Sequence, residues 1–389
     1  MHLAKDAFFI FTSKEMVMVK VRDVIDVMES WAPSSLAESW DNVGLITGDP
    51  DSNVSHVIVT LDVTEEVLDD AIKHQAPMVI SHHPPIFKPL LTLSGRNASQ
   101  RIIVQAVKHD IPLFTAHTNL DQAPEGVSVT LAHKLGLHSV SFLETTSGAV
   151  KFVTFVPPDH TDRVREAACA AGAGIIGEYS FCSHTVHGTG TYMPSDKAAP
   201  YEGSAGELSR CGEDRIEMIV PSPFVNRVIQ AARAANPYEE MAYDIIPLSN
   251  TVGAFGYGAV GELDAPTIGD AFIERLSFVL QTTPYHVSEG RNISVQRIAV
   301  FGGSGKDFIA RALSARADVF VTGEIGYHDY LSYGREIMLV DATHRATELP
   351  VLETIQKKLS LSGIGRKISV SVVVGRDTTV APWYERMLS

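Results

Sequence analysis

The chain has 389 residues, of which 45% are hydrophobic and 20% are charged, and its formal net charge is −14. This composition is typical of a folded globular protein, and the length predicts two or three domains of about 150 residues each. The negative charge and the lack of a basic, aromatic cluster argue against nucleic-acid binding. The three cysteines (Cys169, Cys182 and Cys211) show no CxxC spacing, which argues against disulfide or thiolate-zinc frameworks and favours a reducing cytoplasm.

The N-terminal segment carries one short apolar run, at residues 7–11. This run is too short for a signal-peptide core or a membrane span, so we expect a cytoplasmic protein that does not associate with membranes. Met16 and Met18 lie directly before the first helical pattern. We therefore predict that residues 1–17 form an N-terminal extension.

The next stretch alternates between helical and β-strand patterns. Its apolar spacing predicts helices at 21–28, 65–75 and 101–110, and β-branched runs predict strands at 57–63, 76–83 and 111–121, the last running into a polar turn. Such alternation predicts a parallel or mixed sheet covered by helices. We assign residues 18–149 to the first part of an α/β core.

The pattern changes near residue 150. Strand patterns at 151–158, 215–221 and 241–248 and helical patterns at 161–172 and 224–236 follow one another, with a Gly/Ser-rich meander after the first helix. This order predicts a ferredoxin-like α+β unit at 150–248, inserted into the α/β core.

Alternation resumes after residue 248, with predicted strands at 294–307, 318–324 and 336–343 and a helix at 308–317. Residues 249–389 are therefore predicted to be the second part of the core. The fold class predicted from the whole chain is α/β, with a two-lobed mixed-sheet core and an inserted ferredoxin-like domain.

Three of the predicted strands end in side chains that commonly bind metals. The first end carries His82 and His83, the second His117 and Asp121, and the third His344 and Glu348. Functional side chains of α/β sheets gather at the carboxyl ends of strands. Imidazole and carboxylate ligands without thiolate suit Zn, Mn, Fe, Co or Ni, and indicate an accessible metal site.

Two prolines follow the adjacent imidazoles of His82 and His83 in the sequence SHHPPIF. Neighbouring residues of a regular strand point to opposite faces, so both rings could not face one site if the strand continued. Pro84 and Pro85 cannot donate ladder hydrogen bonds, and Pro84 restricts His83 to extended conformations. We therefore predict that the chain leaves the sheet here and that the two rings face two neighbouring ions.

The two remaining ligand candidates each have an alternative interpretation. Asp121 could cap the following turn or helix. His344 and Glu348 would share a helix face at the i, i+4 spacing, but Pro350 prefers a first-turn position, which would leave His344 in the preceding loop.

Other polar residues near strand ends are weaker candidates. His328 follows the predicted strand at 318–324 and could act as an acid/base group or simply lie on the surface. The sequence GGSGKD at 302–307 lacks the GxxxxGK[ST] spacing of a P-loop, so we interpret it as a plain strand-to-helix turn. Roles of Lys306 and Arg345 in contacting a substrate are left open.

Taken together, the motifs resemble the Nif-three-like family, whose members are often named GTP cyclohydrolase I type 2 homologues. The resemblance extends from about Met18 to near the C-terminus and depends on five motifs in this order: WDNVGLITGDP (40–50), SHHPPIF (81–87), AHTNLD (116–121), TGEIGYHDY (322–330) and THRATE (343–348).

The resemblance implies a site for two divalent metal ions per subunit, with zinc as the first candidate and Fe, Mn, Co or Ni as alternatives. It implies the ligands His82, His83, Asp121, His344 and Glu348, with Glu348 bridging both ions. It further implies a homohexameric toroid, and a likeness of the insert, including ANPYEEMAYD (235–244), to PII-like or CutA-like domains. Around His344 the chain departs from the family pattern, with Arg345 where an aromatic residue is common.

Two functions are compatible with these expectations. The first is a metal-dependent hydrolase that acts on a small molecule, of the GTP cyclohydrolase-like class. The alternative is a non-catalytic hexamer that binds or sequesters metal, or senses a small molecule through its insert.

Overall fold

The computed structural model describes residues 18–146, 148–249, 255–288 and 292–375. The predicted N-terminal extension, residues 1–17, lies outside them. Most described residues belong to two mixed β-sheets flanked by helices and to a third, antiparallel sheet. No helix in these ranges is long and apolar enough to cross a membrane.

The first mixed sheet has five strands in the order β19-β4-β5-β6-β2, of which only β2 is antiparallel to its neighbour. Its apolar strand residues pack against α1 and α12 on one face and against α2 and α3 on the other. The elements from residues 18–146 are β1 (Val19–Lys20), α1 (Val21–Trp31), β2 (Gly44–Thr47), β3 (Asn53–Val54), β4 (His56–Thr60), α2 (Glu65–Ala71), β5 (Pro77–Ser81), α3 (Ala98–Lys108), β6 (Leu113–Thr115), α4 (Thr118–Asp121), α5 (Val127–Lys134), β7 (His138–Ser141) and β8 (Glu144–Thr145).

The inserted region forms a separate four-stranded antiparallel sheet in the order β10-β11-β9-β12. Helices α6 and α7 cover one face and share an apolar core with the strands. The order β-α-β-β-α-β with this strand arrangement is ferredoxin-like, as predicted. Leu248 at the end of the unit pairs with Ala149 at its start. Its elements are β9 (Ala149–Val156), α6 (Thr161–Ala170), β10 (Ser183–Tyr192), β11 (Ser209–Pro221), α7 (Val225–Ala235) and β12 (Tyr243–Leu248).

The second mixed sheet has six strands in the order β15-β18-β17-β16-β14-β7. Its centre, β16, β17 and β18, is parallel, and the outer strands are antiparallel. The remaining elements are β13 (Gly256–Tyr257), β14 (Ala259–Ile268), α8 (Gly269–Leu280), β15 (His286–Val287), β16 (Ser294–Ser304), α9 (Ile309–Ser314), β17 (Val319–Gly323), α10 (Tyr327–Tyr333), β18 (Met338–Asp341), α11 (His344–Glu348), α12 (Pro350–Leu361) and β19 (Ser369–Val372).

The short helix α11 connects the two mixed sheets. Its Ala346 packs in the core of the six-stranded sheet, whereas Val351 and Leu352 of the following α12 pack in the core of the five-stranded sheet. The carboxyl ends of strands from both sheets therefore lie near α11. This arrangement positions the candidate site.

Sequence reasoning predicted the central strands and missed several peripheral elements. The meander after α6 contains a ten-residue strand, β10, whose residues are mostly exposed and carry little apolar pattern. The predicted polar turn after β6 is instead the helix α4. The fold class is as predicted, while the domain boundaries stay a prediction.

Candidate metal centre

Imidazole and carboxylate side chains from both mixed sheets meet beside α11. Strands β4, β5 and β6 of the five-stranded sheet lead into Asp62, the His82–His83 pair and His117, while β17 and β18 lead into Glu324 and His344. All of these residues follow carboxyl ends of parallel strands, where α/β proteins place their functional side chains.

The adjacent histidines occupy the bend that the prolines predict. Strand β5 ends at Ser81, and the Ser81 hydroxyl donates a hydrogen bond to the His83 carbonyl at 2.9 Å. The two rings lie 4.9 Å apart between centroids and are inclined by 46°. Strand β5 thus ends where the prolines predict, and the two rings lie side by side, while the prediction that they face two neighbouring ions stays a prediction.

Asp121 lies at the end of α4 and faces the histidines. Its Oδ1 is 3.7 Å from His82 Nε2. The next helix, α5, has Gly126 at its N-cap and no side-chain cap. The structure thus places Asp121 against the imidazole cluster and gives no support for the capping alternative.

His344 and Glu348 share one face of α11, as the i, i+4 interpretation predicts. His344 Nε2 lies 2.9 Å from Glu348 Oε1. The helix begins after Thr343, whose hydroxyl accepts a hydrogen bond from the Ala346 amide at 3.3 Å. Pro350 occupies the first position of the separate helix α12, so its preference for a first turn does not displace His344 into a loop.

The Glu348 carboxylate is the point at which the cluster converges. Its oxygens lie 3.6 Å from His82 Nε2 and 3.1 Å from His83 Nε2, in addition to the His344 contact. Among the described residues, two groups of ligand atoms are close enough to hold a metal ion, and they share His83: His82, His83 and His117, and His83, His344 and Glu348.

Several buried atoms of the cluster lack a hydrogen-bond partner within the described ranges. They include the Nε2 atoms of His82 and His83 and Oε2 of Glu348. A buried polar atom without a partner is costly and rare in folded proteins. A bound cation would satisfy all three atoms, so this donor set fits a metal.

The other ring nitrogen of each histidine is held by an acceptor outside the cluster. Nδ1 contacts are His83 to Asp62 at 2.9 Å, His117 to Asp41 at 2.9 Å, His344 to Glu324 at 3.0 Å and His82 to the Ala116 carbonyl at 2.9 Å. An acceptor at Nδ1 keeps a proton there, so Nε2 is the ring atom that can bind a metal once it gives up its own proton. In each of the four histidines the nitrogen left for a metal is therefore Nε2.

The pKa shifts show that the site favours positive charge. Burial lowers the pKa of His83, but the neighbouring carboxylates of Asp62 and Glu348 outweigh it and raise that pKa to about 10. Burial also lowers the pKa of His344, but the Glu348 carboxylate outweighs this effect and raises that pKa to about 9. Burial alone would raise the pKa of Glu348, yet the neighbouring imidazoles of His344 and His82 hold it well below its usual range. A buried, ionised carboxylate among imidazoles attracts cations.

Gly303 leaves the space that the central carboxylate occupies. A Cβ atom at this position would lie 2.4 Å from Glu348 Oε1 and 3.4 Å from His344 Nε2, and the residue has a φ of +75°. The Gly303 amide donates to the Thr347 hydroxyl at 2.9 Å. The GGSGKD sequence therefore borders the metal centre, a role that the spacing of its glycines did not indicate.

Two residues that flank the site have an unusual backbone conformation. Glu324 and Thr343 have φ values of +60° and +70°, which non-glycine residues rarely adopt. The buried Asp341 carboxylate bridges the loops that contain them, because it accepts hydrogen bonds from the amides of Ile325 and Thr343, each at 3.0 Å. Such strain typically accompanies a functional geometry.

A cavity of about 1020 Å³ opens beside His83 and His344. The Arg345 side chain lines it and donates a hydrogen bond to the Gly375 carbonyl at 2.5 Å. The cavity is large enough for a drug-sized molecule. A small molecule in it could therefore reach the imidazole cluster.

Two weaker candidates lie apart from these ligand groups. His328 is exposed on α10, its ring against that of Tyr327 at 5.3 Å, and belongs to neither ligand group. Lys306 is exposed in a short 3₁₀ helix. Their proposed roles in catalysis or substrate contact stay predictions.

Four residues of this arrangement were not predicted from the sequence, either as metal ligands or as residues that hold the ligands in place. His117 was recognised at a strand end but not counted as a ligand. The supporting carboxylates Asp41, Asp62 and Glu324 were missed, because nothing in their spacing relates them to a histidine far along the chain. Asp41 lies in the WDNVGLITGDP motif and Glu324 in the TGEIGYHDY motif, and these two motifs are the available signals.

Comparison with known proteins identifies the family. The profile of the Duf34/NIF3 (NGG1p interacting factor 3) family matches residues 19–379. The chain belongs to the NIF3 family. A Halalkalibacterium halodurans NIF3 relative named GTP cyclohydrolase 1 type 2 homolog is 37% identical over 363 residues, covering 92% of this chain and 97% of the relative. A Mycobacterium tuberculosis protein of the same name is 38% identical over 339 residues, covering 85% and 89%.

Solved structures of NIF3 proteins share the fold. A Bacillus cereus protein described as related to NIF3 is 36% identical, with a TM-score of 0.76, and the match covers 93% of this chain and 98% of that protein. A Staphylococcus aureus protein is 28% identical, with a TM-score of 0.68 and coverage of 93% and 98%. The predicted family membership is confirmed, and the likeness of the insert to PII-like or CutA-like domains stays a prediction.

Proposed function

We propose that this NIF3 protein binds two divalent metal ions and uses them in hydrolysis of a small molecule. The ligands would be those predicted from the sequence together with His117: His82, His83, His117, Asp121, His344 and Glu348. Zinc is the first candidate because imidazole and carboxylate ligands suit it, with Fe, Mn, Co or Ni as alternatives.

The observation that carries this proposal is the set of buried ligand atoms without partners at Nε2 of His82 and His83 and Oε2 of Glu348. Two overlapping ligand groups, which share His83, support two ions in place of one. Glu348 contacts histidines of both groups, which supports a bridging role.

The hydrolytic function draws support from the adjoining cavity and from the names of the relatives. Divalent ions held by few protein ligands supply Lewis acidity and activate water near neutral pH. The chain's own contribution is to orient the ligands through Asp62, Asp41 and Glu324 and to offer Arg345 at the cavity wall. Because the curated relatives are named GTP cyclohydrolase 1 type 2 homologs, GTP is the first substrate to test.

The test compares the full-length protein with Glu348→Gln after reconstitution with zinc, manganese or iron. Metal content by mass spectrometry should be about two ions per wild-type chain and fewer in the variant. Turnover of GTP, other nucleotides and phosphoesters should be lost in the variant. Glu353→Gln is the matched control, because Glu353 is exposed on α12 and pairs with Lys134 at 3.0 Å.

The outcomes separate catalysis from metal binding. Equal turnover by wild type and Glu348→Gln excludes hydrolysis at this site. Tight metal binding by the wild type with no turnover across the panel contradicts the hydrolase proposal and favours the metal-sequestering alternative. One ion or fewer per wild-type chain contradicts the dinuclear centre itself.

We further propose a homohexamer, which is the assembly implied by the sequence resemblance. Exposed apolar side chains on the face of the inserted sheet opposite α6 and α7, including Val186 at 47% and Ile246 at 42% exposure, support association of subunits. Light scattering coupled to size-exclusion chromatography should give six times the mass of 42.2 kDa. A monomer or dimer across micromolar concentrations would contradict this assembly.

A further inference from the structure

The inserted unit contains a second cavity, of about 440 Å³, on the sheet face opposite α6 and α7. Ile216 and Met218 of β11 point into the helix-covered core, so the alternation of a strand directs Glu213 to the other face. The segment 194–201 and the residues 238–240 enclose the space above that face. Its volume is within the range of small-molecule sites.

Aromatic rings form much of the wall of this insert cavity. Phe155, Tyr192, Tyr201 and Tyr238 line it, and the rings of Tyr201 and Tyr238 meet edge to face with centroids 5.9 Å apart. Tyr192 is fixed by a hydrogen bond from its hydroxyl to the Glu202 carbonyl at 2.6 Å. Aromatic faces carry negative potential and attract cations, most effectively in a desolvated site.

Every charged side chain that lines the insert cavity is a carboxylate: Glu213, Glu239 and Glu240, with neither Lys nor Arg among the described lining residues. Arg215, two positions along β11 from Glu213, pairs with Glu217 at 3.0 Å. The lining of the cavity therefore combines carboxylates with aromatic walls and contributes no basic side chain of its own.

Neighbouring residues hold the Glu213 carboxylate in place. Glu213 Oε1 accepts a hydrogen bond from the Tyr238 hydroxyl at 3.0 Å, and Oε2 lies where a side chain at Gly190 would be, 2.2 Å from an added Cβ. Glu239 is held as well, because its Oε2 accepts a hydrogen bond from the Ala199 amide at 2.8 Å. Two carboxylates and three tyrosines are thus oriented before any ligand arrives, which lowers the entropic cost of binding.

From this combination we propose that the insert cavity is a binding site for a small methylated ammonium ion, with Glu213 as the counter-charge and Tyr192, Tyr201 and Tyr238 as the aromatic walls. Aromatic rings and carboxylates recognise alkylated ammonium groups by cation–π and charge attraction. The site uses the tyrosine and glutamates of the ANPYEEMAYD sequence, which the metal centre leaves unused. It is independent of the hydrolase proposal.

Choline and 3,3-dimethylbutan-1-ol are the probes, because they have the same shape and differ in charge. Isothermal titration of the full-length protein should show choline binding about tenfold or more tighter than the neutral alcohol, since about 1.4 kcal/mol corresponds to tenfold. Chelator treatment that empties the metal centre should leave choline affinity unchanged. No measurable choline binding, or equal affinity for both probes, overturns the proposal.

Two variants locate the binding. Glu213→Gln removes the charge and keeps an acceptor for Tyr238, and it should weaken choline about tenfold without changing the affinity for the alcohol. Glu166→Gln, the same change at an exposed position of α6 on the other side of the sheet, is the control. Tyr201→Ala is the second variant, because Tyr201 is 45% exposed and its loss leaves the core intact. Unchanged choline affinity in both cavity variants would overturn the assignment.

Discussion

The metal centre and the insert cavity are both built around buried or half-buried carboxylates, yet they suit different cations. At the metal centre, Glu348 is surrounded by imidazoles whose outer nitrogens are held by other acceptors. In the insert cavity, Glu213 is surrounded by tyrosine rings. The side chains around a carboxylate therefore decide which cation a site suits. Imidazoles offer ligand atoms for a metal, and aromatic rings offer a face for an organic cation.

Metal removal should produce the largest effect and should act on one site only. Zinc added to chelator-treated protein at about 100 times its dissociation constant should stabilise the folded state by about 2.7 kcal/mol, because the ion binds the assembled site. Differential scanning calorimetry measures the shift. The Glu348→Gln variant should lose most of it, and an unchanged transition in the wild type would contradict a metal site that joins the two sheets.

A methyl group at Gly303 should weaken the metal centre next most strongly. Gly303→Ala places a Cβ 2.4 Å from Glu348 Oε1, so the carboxylate must move, and we expect metal affinity to fall by about 100-fold. Competition with a chromophoric chelator gives the affinity. Gly177→Ala is the control, because Gly177 also has a positive φ, +56°, but nothing within 4 Å of an added Cβ. Equal losses in both variants would attribute the effect to backbone strain alone.

Loss of an orienting carboxylate should have a smaller effect at the same site. Asp62→Asn weakens the hold on His83 Nδ1 but removes no ligand, so metal affinity should fall by about tenfold. Asp69→Asn, on the nearby helix α2, is the control, since Asp69 contacts Gln105 instead of a histidine of the site. Competition with the same chelator measures the metal affinity. A wild-type metal affinity in Asp62→Asn would show that His83 needs no hydrogen-bond acceptor at Nδ1.

The smallest effect is expected in the insert cavity. Gly190→Ala pushes the Glu213 carboxylate aside without removing its charge, so choline affinity should fall by about three- to fivefold. Gly188→Ala, two residues earlier on β10, meets nothing within 4 Å and should have no effect. Isothermal titration separates the two variants. A metal affinity altered by Gly190→Ala would contradict the independence of the two sites.

The parts of the molecule predictable from sequence are those in which local pattern and tertiary role agree. The apolar runs of β4, β5, β17 and β18 predicted the strands, because a strand buried on both faces is hydrophobic throughout. The prolines after His83 likewise predicted the bend that brings two neighbouring rings to one side. Strand β10 was missed because its sequence is mostly exposed, contains glycines and lacks an alternating apolar pattern.

The sequence predicted most of the side chains that meet at the candidate site, but not the residues that hold them in place. The i, i+4 spacing of His344 and Glu348 indicates that they share a helix face. The contact of Glu324 with His344 instead depends on how β17 and β18 lie side by side. Gly303 leaves room for the Glu348 carboxylate because it has no side chain, and no local sequence pattern indicates this role. Contacts of this kind depend on tertiary packing, and only the structure reveals them.

Ala149 and Leu248 lie opposite each other on the paired strands β9 and β12. The polypeptide enters and leaves the ferredoxin-like unit at adjacent points, so removing or exchanging that unit leaves a short gap to close. A loop of a few residues closes such a gap at little entropic cost. This junction is therefore a natural place to graft a reporter protein or to transplant the unit onto another scaffold.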